Sequence, residues 1–592
     1  MIVGAYVKGA VSAARHLSAA SPGKYVAALL AATIVCSEAT AKDVRPEFTN
    51  PPQVASKDGV LETEFTVAPH TIELGGKTVT TNLYNGLFAP PTLRVRPGDT
   101  LKLNLRNRKK GLKENTNLHY HGTNVSPKAP SDDVFITIKP GEDYQYVVEF
   151  PEDHPQGLFY YHPHYHGTTE YQIGSGLSGL ISVDGILDPW PELKDITQRF
   201  FILRDIQIDK KGEVPNPPDP GDPTMRLVNG LLKPKIQIKP GEVQLWRVGN
   251  IGADIFYDLE VEGHKMHEIA RDGVRKTRPV TRDTLLLPTS SRTEFLIVGG
   301  KPGEYIVRTN EIDMGPAGDP HPKTTLATLI VSGEPQEPIK LPEVFPELQD
   351  LRKVEPCCKR TYDFSETGDG NFFCINNVHT NMSVVNTTVR IGCVEEWTVN
   401  NCAAENHSFH HHQLQFQVVE RNGEPVEFTG WQDTVTLDYR ARDKDHPNRG
   451  CKCNADGSEC TDCDCPTPDD PYGSVVVRIP FLDPVIEGKA VYHCHIGEHE
   501  DNGMMQIINM SSTAGRCEAG NPNNVDRLSM TQKARAACSP IKDKPLHEDD
   551  HGGQEGPNDT DQDAFLQRFD RDLEASMCRD TRQLVRLRNK YS

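Results

Sequence analysis

Three segments of this chain repeat one short pattern, and no other feature constrains its fold as strongly. In each segment an alternation of apolar and polar residues is interrupted at a glycine and then resumes, over residues 93–107, 236–250 and 389–401. Alternation with period two is typical of half-buried strands, so each segment is predicted to be a strand, a hairpin turn and a second strand. The glycines are about 150 residues apart, the size of a domain rather than of a solenoid repeat. The repeats therefore predict three related β-sandwich domains.

Breaks in the strand pattern indicate where these domains begin and end. A chain of 592 residues is too long for one ordinary core, and proline-rich stretches interrupt the alternation. The predicted domains span residues 58–187, 195–335 and 355–515. Residues 516–592 lose the pattern and are predicted to be a tail, disordered where it is polar and acidic and helical near its end.

The N-terminus has the features of an export signal. Three basic residues precede an apolar run over residues 25–35, and Ala39-Thr40-Ala41 has the small-x-small form of a signal-peptidase site. A membrane anchor is the alternative, but eleven apolar residues fall short of the roughly 20 that span a bilayer. Residues 1–41 are therefore predicted to be a signal peptide. We expect a periplasmic or extracellular protein with no membrane span after its removal.

The charge balance narrows the range of partners. The chain has 64 basic and 83 acidic residues, a formal net charge of −19 at pH 7. Such an acidic surface repels phosphate groups, so nucleic acid and anionic lipid are not expected as partners. It is compatible with cationic substrates.

Histidines are concentrated in pairs that are separated by one residue. Chance predicts about one His-x-His pair for 22 histidines in a chain of this length. Five are present: His119/His121, His162/His164, His164/His166, His410/His412 and His493/His495. On a strand, residues i and i+2 point to the same face, so each pair can direct two imidazoles into one cavity. One pair alone is equally compatible with surface histidines, but clusters at four separate places favour metal binding.

The segment from His493 to Met504 carries the strongest local signal. It interleaves Cys494, three histidines and a methionine within twelve positions. Two histidines and a cysteine with a weak axial methionine are the ligands of a blue-copper site. Because Cys494 lies between His493 and His495, the chain itself can connect such a site to whatever those histidines bind.

The four clusters, in this order, resemble the four copper-binding motifs of the multicopper oxidase family, which includes laccases, cuprous oxidases and bilirubin oxidases. The resemblance covers most of residues 60–510, with two motifs in the first domain and two in the last, as in that family. It implies an all-β fold of three consecutive cupredoxin-like Greek-key β-sandwich domains. It also implies four copper ions: one type 1, one type 2 and two type 3.

The resemblance assigns a role to each predicted ligand. The type 1 copper is expected at His407, Cys494 and His499, with Met504 axial. The type 2 copper is expected at His119 and His410. The type 3 pair is expected at His121, His162, His164, His412, His493 and His495.

Several positions depart from the family pattern. The third motif usually reads His-Pro-x-His-x-His-Gly, whereas Ser408 and Gln413 stand here in place of proline and glycine. His411 is expected on the opposite face from the ligands, in the second shell or in solvent. His166 is expected to be a hydrogen-bonding neighbour. Tyr160 replaces the usual tryptophan before the second motif, with consequences for packing or radical scavenging.

Two carboxylates are expected to donate protons. Dioxygen reduction to water consumes four protons, and acids near the metal centre can supply them. Asp132 is placed like the acid that follows the first motif in the family, and Glu500 resembles an acid of the cuprous-oxidase branch.

These features predict a laccase-like oxidase, which couples one-electron oxidation of a phenolic or aromatic donor to reduction of dioxygen. The first alternative is a metallo-oxidase that acts on Cu(I), Fe(II) or Mn(II) in metal tolerance. Only ten methionines are present and they form no cluster, which weakens the case for Cu(I). The second alternative is a protein that sequesters copper without turnover. The expected partners are therefore dioxygen and a small reducing substrate, which is a phenol or a metal ion. The protein is expected to be a monomer.

Most cysteines outside the predicted copper site are expected to form disulfides. Thirteen of the 15 remain once Cys36 leaves with the signal and Cys494 binds copper, so at least one is expected to be free or to pair with another chain. Five lie between residues 451 and 465, where a disulfide-stapled loop is favoured over a soft metal site. A further five are predicted to pair among themselves: Cys357, Cys358, Cys374, Cys393 and Cys402.

Overall fold

The computed structural model describes most of the chain between residues 45 and 517. The described ranges are 45–108, 111–218, 224–366, 373–439, 452–453, 460–461, 473–515 and 517. The predicted signal peptide, most of the cysteine-rich segment and all of the tail except Cys517 lie outside the described residues. None of the described helices has the length and apolar composition that crossing a bilayer requires.

The first sandwich has nine strands and one short helix. The strands are β1 (Gln53–Ala55), β2 (Val60–Leu74), β3 (Lys77–Tyr84), β4 (Thr92–Val95), β5 (Thr100–Asn107), β6 (His119–His121), β7 (Asp143–Glu149), β8 (Gly157–His162) and β9 (Gly179–Val183), and the helix is α1 (Thr169–Ser175). One sheet has the order β1-β4-β9-β8-β6, and the other has the order β3-β2-β5-β7.

The second sandwich follows a 3-10 turn at Pro191–Leu193. Its strands are β10 (Thr197–Ile206), β11 (Met225–Val228), β12 (Lys235–Ile238), β13 (Val243–Asn250), β14 (Tyr257–Val261), β15 (Met266–Arg271), β16 (Val274–Arg282), β17 (Thr284–Leu287), β18 (Arg292–Val298), β19 (Gly303–Thr309) and β20 (Thr324–Val331). The sheets have the orders β11-β10-β13-β18-β15-β16 and β12-β20-β19-β14-β17.

The third sandwich carries the remaining strands. They are β21 (Cys358–Glu366), β22 (Phe373–Ile375), β23 (Val385–Arg390), β24 (Cys393–Asn401), β25 (His407–His411), β26 (Gln417–Arg421), β27 (Glu424–Pro425), β28 (Thr434–Leu437), β29 (Lys452–Cys453), β30 (Cys460–Thr461), β31 (Gly473–Phe481), β32 (Gly488–Cys494) and β33 (Met505–Ser511). Helix α2 (Gly497–Asp501) and 3-10 turns at Leu351–Lys353 and Pro484–Ile486 complete it. The sheets have the orders β22-β21-β24-β31-β26-β27 and β23-β33-β32-β25-β28, and β29 pairs with β30.

The same strand pairing recurs in all three sandwiches. A central strand pairs in parallel with the strand three places earlier in the chain and antiparallel with a later one, as β5 does with β2 and β7. Strand β13 pairs in this way with β10 and β18, and β24 with β21 and β31. The prediction of an all-β chain with three related sandwiches is confirmed, while the predicted domain limits stay predictions.

The predicted hairpins are wrong. The two strands of each repeat lie in different sheets: β4 and β5 do not pair, and neither do β12 and β13 or β23 and β24. Alternation determines which side chains are buried, but it does not determine which strand is the neighbour. Each glycine adopts a positive φ, +88° at Gly98, +76° at Gly241 and +96° at Gly392, where the chain crosses from one sheet to the other. The apolar residues of both strands, such as Val95 and Leu101, then meet in one core.

The disulfide prediction is correct only in part. Cys357 bonds to Cys393 as expected, but Cys358 bonds to Cys517, which was assigned to the tail. Cys374 is a buried thiol, and burial raises its pKa to about 12. Cys402 is disulfide-bonded, and not to any of the four other cysteines of the predicted group. Sequence spacing carries no information on these pairs because distant strands bring them together.

The first and second sandwiches approach closely at two glycines. A Cβ placed on Gly157, at the start of β8, would lie 2.4 Å from the carbonyl oxygen of Gly273, in the turn between β15 and β16. Because backbone atoms rather than a flexible side chain fill the space, the contact leaves no room for a methyl group.

We predict that Gly157→Ala lowers the free energy of unfolding by about 1–3 kcal/mol, because the added methyl group overpacks this junction. Differential scanning calorimetry measures the effect. Gly174→Ala is the matched control, since Gly174 lies inside α1 with open space around its Cβ position. A loss of stability in the control equal to that of Gly157→Ala would contradict the argument.

Candidate metal centres

Strand β32 serves two centres because successive residues on a strand face opposite sides. Cys494 lies in register with Phe409 of β25, and both pack in the core of the third sandwich. His493 lies in register with His410 on the other face. There the Nε2 atom of His493 is 3.3 Å from Nε2 of His164, which belongs to the first sandwich. One short strand therefore connects the core of the third sandwich to the junction with the first.

The first centre is formed by His407, Cys494 and His499. The Cys494 sulfur lies 3.7 Å from Nδ1 of His407 and 3.5 Å from Nδ1 of His499, and these two nitrogens are 3.0 Å apart. The backbone N–H of Ser408 points at the sulfur, at 3.4 Å. All three donors are buried, as is Met504, whose backbone bonds to both Cys494 and His499. Two imidazoles and a thiolate in a dry site form a donor set suited to copper.

Eight histidines of the first and third sandwiches form the second centre. Their donor nitrogens fall into three buried groups, and within each group they lie within 4.8 Å of one another. The groups are His119, His121 and His410; His121, His162 and His495; and His164, His412 and His493. The structure thus brings together all eight histidines predicted for the type 2 and type 3 ions, and it divides the six assigned to the type 3 pair into two triads.

The ring nitrogens at this centre have the properties of metal ligands. The Nε2 atoms of His119, His162 and His410 are buried and have no hydrogen-bond partner. Burial lowers the pKa of His162 to about 3 and that of His164 to about 4, so both rings are neutral at pH 7 and keep a free lone pair. Buried polar atoms without a partner are unfavourable unless a ligand satisfies them. The residues present therefore fit bound copper ions.

Two further histidines of the motifs lie outside these groups. His411 faces away from the eight-histidine centre, as alternation predicted, and its ring packs 5.3 Å from Trp397 and 5.4 Å from Phe481. It is fully buried, so the solvent alternative is wrong. His166 is half-buried and belongs to none of the donor groups found among the described residues.

Both predicted acids contact histidines of the second centre. Oδ1 of Asp132 lies 2.9 Å from Nδ1 of His119, and burial raises the pKa of Asp132 to about 8. Oε2 of Glu500 lies 3.2 Å from Nδ1 of His493, and its Oε1 lies 3.5 Å from Nδ1 of His164. Such contacts fix the orientation of each ring. Their role as proton donors stays a prediction.

A buried ion pair that was not predicted from the sequence lies beside the second centre. Arg292 of the second sandwich donates hydrogen bonds of 2.8 and 2.5 Å to the two carboxylate oxygens of Asp433. Nδ1 of His410 donates to the carbonyl oxygen of Asp433, at 2.8 Å, and Nε2 of His121 lies 3.4 Å from its Oδ1. Neither partner lies in a histidine motif, so no local signal could have identified the pair. The second sandwich, which contributes no histidine to the centres, orients them through this pair.

A carboxylate that was not predicted from the sequence lies at the first centre. Oε1 of Glu405 lies 3.0 Å from Nε2 of His499, on the ring edge away from Cys494. The ring of Phe373 stacks on His499 with centroids 4.2 Å apart. Burial and the charge of Glu405 together raise the pKa of Glu366 to about 8, so these two acids lie close together. The available signal was the position of Glu405, two residues before the third motif.

Comparisons with known proteins agree with this geometry. Family models described as multicopper oxidase match residues 66–186, 206–334 and 355–449, which together cover more than half of the chain. The multicopper oxidase mco of Staphylococcus haemolyticus is 26% identical over 446 residues, covering 72% of this chain and 83% of that protein. The cell division protein FtsP of Yersinia pestis is 27% identical over 410 residues, covering 67% and 84%.

Among solved structures, a multicopper oxidase from Campylobacter jejuni, described as a metallo-oxidase, superposes with a TM-score of 0.65 at 24% identity. The match covers 79% of this chain and 95% of that one. At this identity the likeness establishes the fold, three cupredoxin-like domains. With the three family matches, the comparison leads to one conclusion: this chain belongs to the multicopper oxidase family.

Proposed function

We propose that this protein is a four-copper oxidase that takes single electrons from a reducing substrate and reduces dioxygen to water. One observation carries the proposal: Cys494 of the first centre is bonded through the backbone to His493 and His495, which belong to the two triads of the second centre. When bound, the copper ions accept and store single electrons and bind dioxygen. His407, Cys494 and His499 would hold the type 1 ion, with Met504 as the proposed fourth ligand.

In this proposal the residues around the centres exclude water, hold protons and orient the histidine rings. The buried histidines exclude bulk water, which keeps reduced oxygen species inside the site. Asp132 holds a proton beside His119, and Glu500 contacts two histidines, His164 and His493, of the triad that includes His412. The Arg292–Asp433 pair keeps His410 and His121 in the orientation that metal binding needs.

A protein that only sequesters copper is the alternative from another class. The cell division protein among the relatives makes it relevant, because family membership alone does not establish turnover. Storage requires affinity, but it does not require a thiolate site joined to a separate histidine centre by adjacent residues of one strand. We therefore favour the oxidase, and we propose that the chain is exported and acts as a monomer.

For the electron donor, which the motifs do not encode, we propose a metal cation, the first alternative to the phenolic donor expected from the sequence. Electrons are expected to enter at the outer edge of His499, the ring edge farthest from Cys494. Glu405 lies against this edge and Glu366 lies next to Glu405. The ionised carboxylate of Glu405 attracts a cation, and Glu366, whose pKa is raised, can release its proton when a cation binds beside it. A neutral phenol finds no complementary charge there.

Acids from the other two sandwiches support this choice of donor. Glu170 of α1 and Asp254 both lie against Gly497, which begins α2 two residues before His499. Glu170 is only 6% exposed, and its Oε1 has no hydrogen-bond partner. Burial and the charges of Asp254 and Glu498 raise the pKa of Glu170 to about 10, and a bound cation would relieve that repulsion. Oxygen ligands favour Fe(II) or Mn(II) over Cu(I).

We predict that Cys494→Ser abolishes both the intense blue absorption of the copper-loaded protein and its steady dioxygen uptake, because the thiolate is lost. Absorption spectroscopy and an oxygen electrode measure the two effects with Fe(II) and with a phenolic dye. Cys374→Ser removes the other buried thiol of the third sandwich and should change neither. Copper binding without blue colour or uptake in the unmodified protein would instead identify a sequestering protein.

We predict that Glu170→Gln raises the KM for Fe(II) about tenfold, because one carboxylate of the cation site is lost. The same substitution should change the KM for a phenolic dye by less than about twofold, since a neutral donor gains little from that charge. Glu192→Gln, which removes an exposed acid of the 3-10 turn at Pro191–Leu193, is the control and should affect neither donor. Equal changes for both donors, or no change for Fe(II), would argue against a cation site.

A further inference from the structure

Tyr160 lies on the face of β8 that is directed into the eight-histidine centre. In the pairing of β8 with β6, Tyr160 is directly opposite His121, and His162 is directly opposite His119. These four side chains therefore share one face of the sheet. Tyr161 points the other way, and its hydroxyl donates to the carbonyl oxygen of Pro91, at 2.8 Å.

The hydroxyl of Tyr160 contacts the ring of a histidine at the second centre. It lies 3.0 Å from Nε2 of His495, a member of the triad with His121 and His162. The phenol ring stacks on His162 with centroids 4.9 Å apart and an interplanar angle of 16°, and its centroid is 4.4 Å from that of His121. The side chain is 1% exposed, so bulk water does not reach the hydroxyl.

We propose that Tyr160 is a catalytic residue of the oxidase, and that it supplies one electron and one proton to dioxygen during its reduction. The inference rests on the proposed function, since it requires copper at the second centre. An aromatic ring without a hydroxyl would be enough to fill the space at this position. The hydroxyl directed at His495 is therefore not explained by packing. A phenol can deliver an electron and a proton from the same atom, which a side chain that only fills space cannot do.

The electrons and protons balance in the following way. Reduction of one dioxygen to two waters takes four electrons and four protons. With copper bound, the second centre would supply three of these electrons and the fourth would arrive through Cys494. Solvent would supply the three protons that Tyr160 does not. When the fourth electron is delayed, the O–H bond of Tyr160 breaks, its proton and one electron pass to the oxygen, and a neutral phenoxyl radical remains. One electron through Cys494 and one proton from solvent then restore the phenol.

The test isolates this step by removing the normal source of the fourth electron. Copper-loaded Cys494→Ser protein is reduced chemically, mixed with dioxygen and frozen within milliseconds for electron paramagnetic resonance. We expect the signal of a tyrosyl radical. This signal should become narrower when the tyrosine rings are deuterated. The signal should persist when Tyr161→Phe is added, because that hydroxyl is directed away from the centre. It should vanish when Tyr160→Phe is added.

The proposal is supported if adding Tyr160→Phe to Cys494→Ser removes the signal and adding Tyr161→Phe does not. A radical that survives the addition of Tyr160→Phe overturns it. Absence of any radical in a Cys494→Ser protein that has bound copper and consumed dioxygen overturns it as well. Tyr160→Trp, which fills the site without a phenol, replaces Tyr160→Phe if the latter binds less copper. Copper content and dioxygen uptake of the Tyr161→Phe single variant are measured in parallel, so failure of the oxidase itself is recognised separately.

Discussion

The site depends on side-chain alternation along one strand, β32. Because neighbouring residues face opposite sides, Cys494 enters the core of the third sandwich while His493 faces the first sandwich. Strand β25 repeats the arrangement, with Phe409 inward and His410 outward. A buried thiolate centre and an interdomain histidine centre therefore lie within two residues of each other along the chain. No other arrangement of the same residues on a strand joins the two by so short a covalent path.

The need to bury eight histidines explains why the centre lies between sandwiches. Four come from the first sandwich and four from the third, so neither sandwich completes the centre alone. Burial keeps the rings neutral and leaves their lone pairs without partners, which is costly for the empty protein and favourable for metal binding. Arg292 connects the second sandwich to the centre through its ion pair with Asp433. Burial of these two charges is tolerated because each compensates the other.

Much of this could be predicted from the sequence, because local patterns determined it. Because residues i and i+2 of a strand lie on one face, the His-x-His spacing correctly predicted that each pair faces one cavity. It also predicted that His411, between two ligands, faces the other way. The hairpins failed because alternation does not encode which sheet a strand joins. Glu405 and the Arg292–Asp433 pair are set by contacts between residues remote in sequence, as is the Cys358–Cys517 bond. The approach of Tyr160 to His495 depends on how two sandwiches pack, which no motif records.

The central claim is that this chain holds a thiolate copper site and a separate three-ion centre. Metal analysis combined with quantitative electron paramagnetic resonance of the oxidised protein tests it most directly. The account predicts four copper ions per chain, with about half of the copper visible in two distinct signals, because the ions in the two histidine triads couple and become silent. Fewer than four ions, or four ions that are all visible as ordinary Cu(II), would contradict the account.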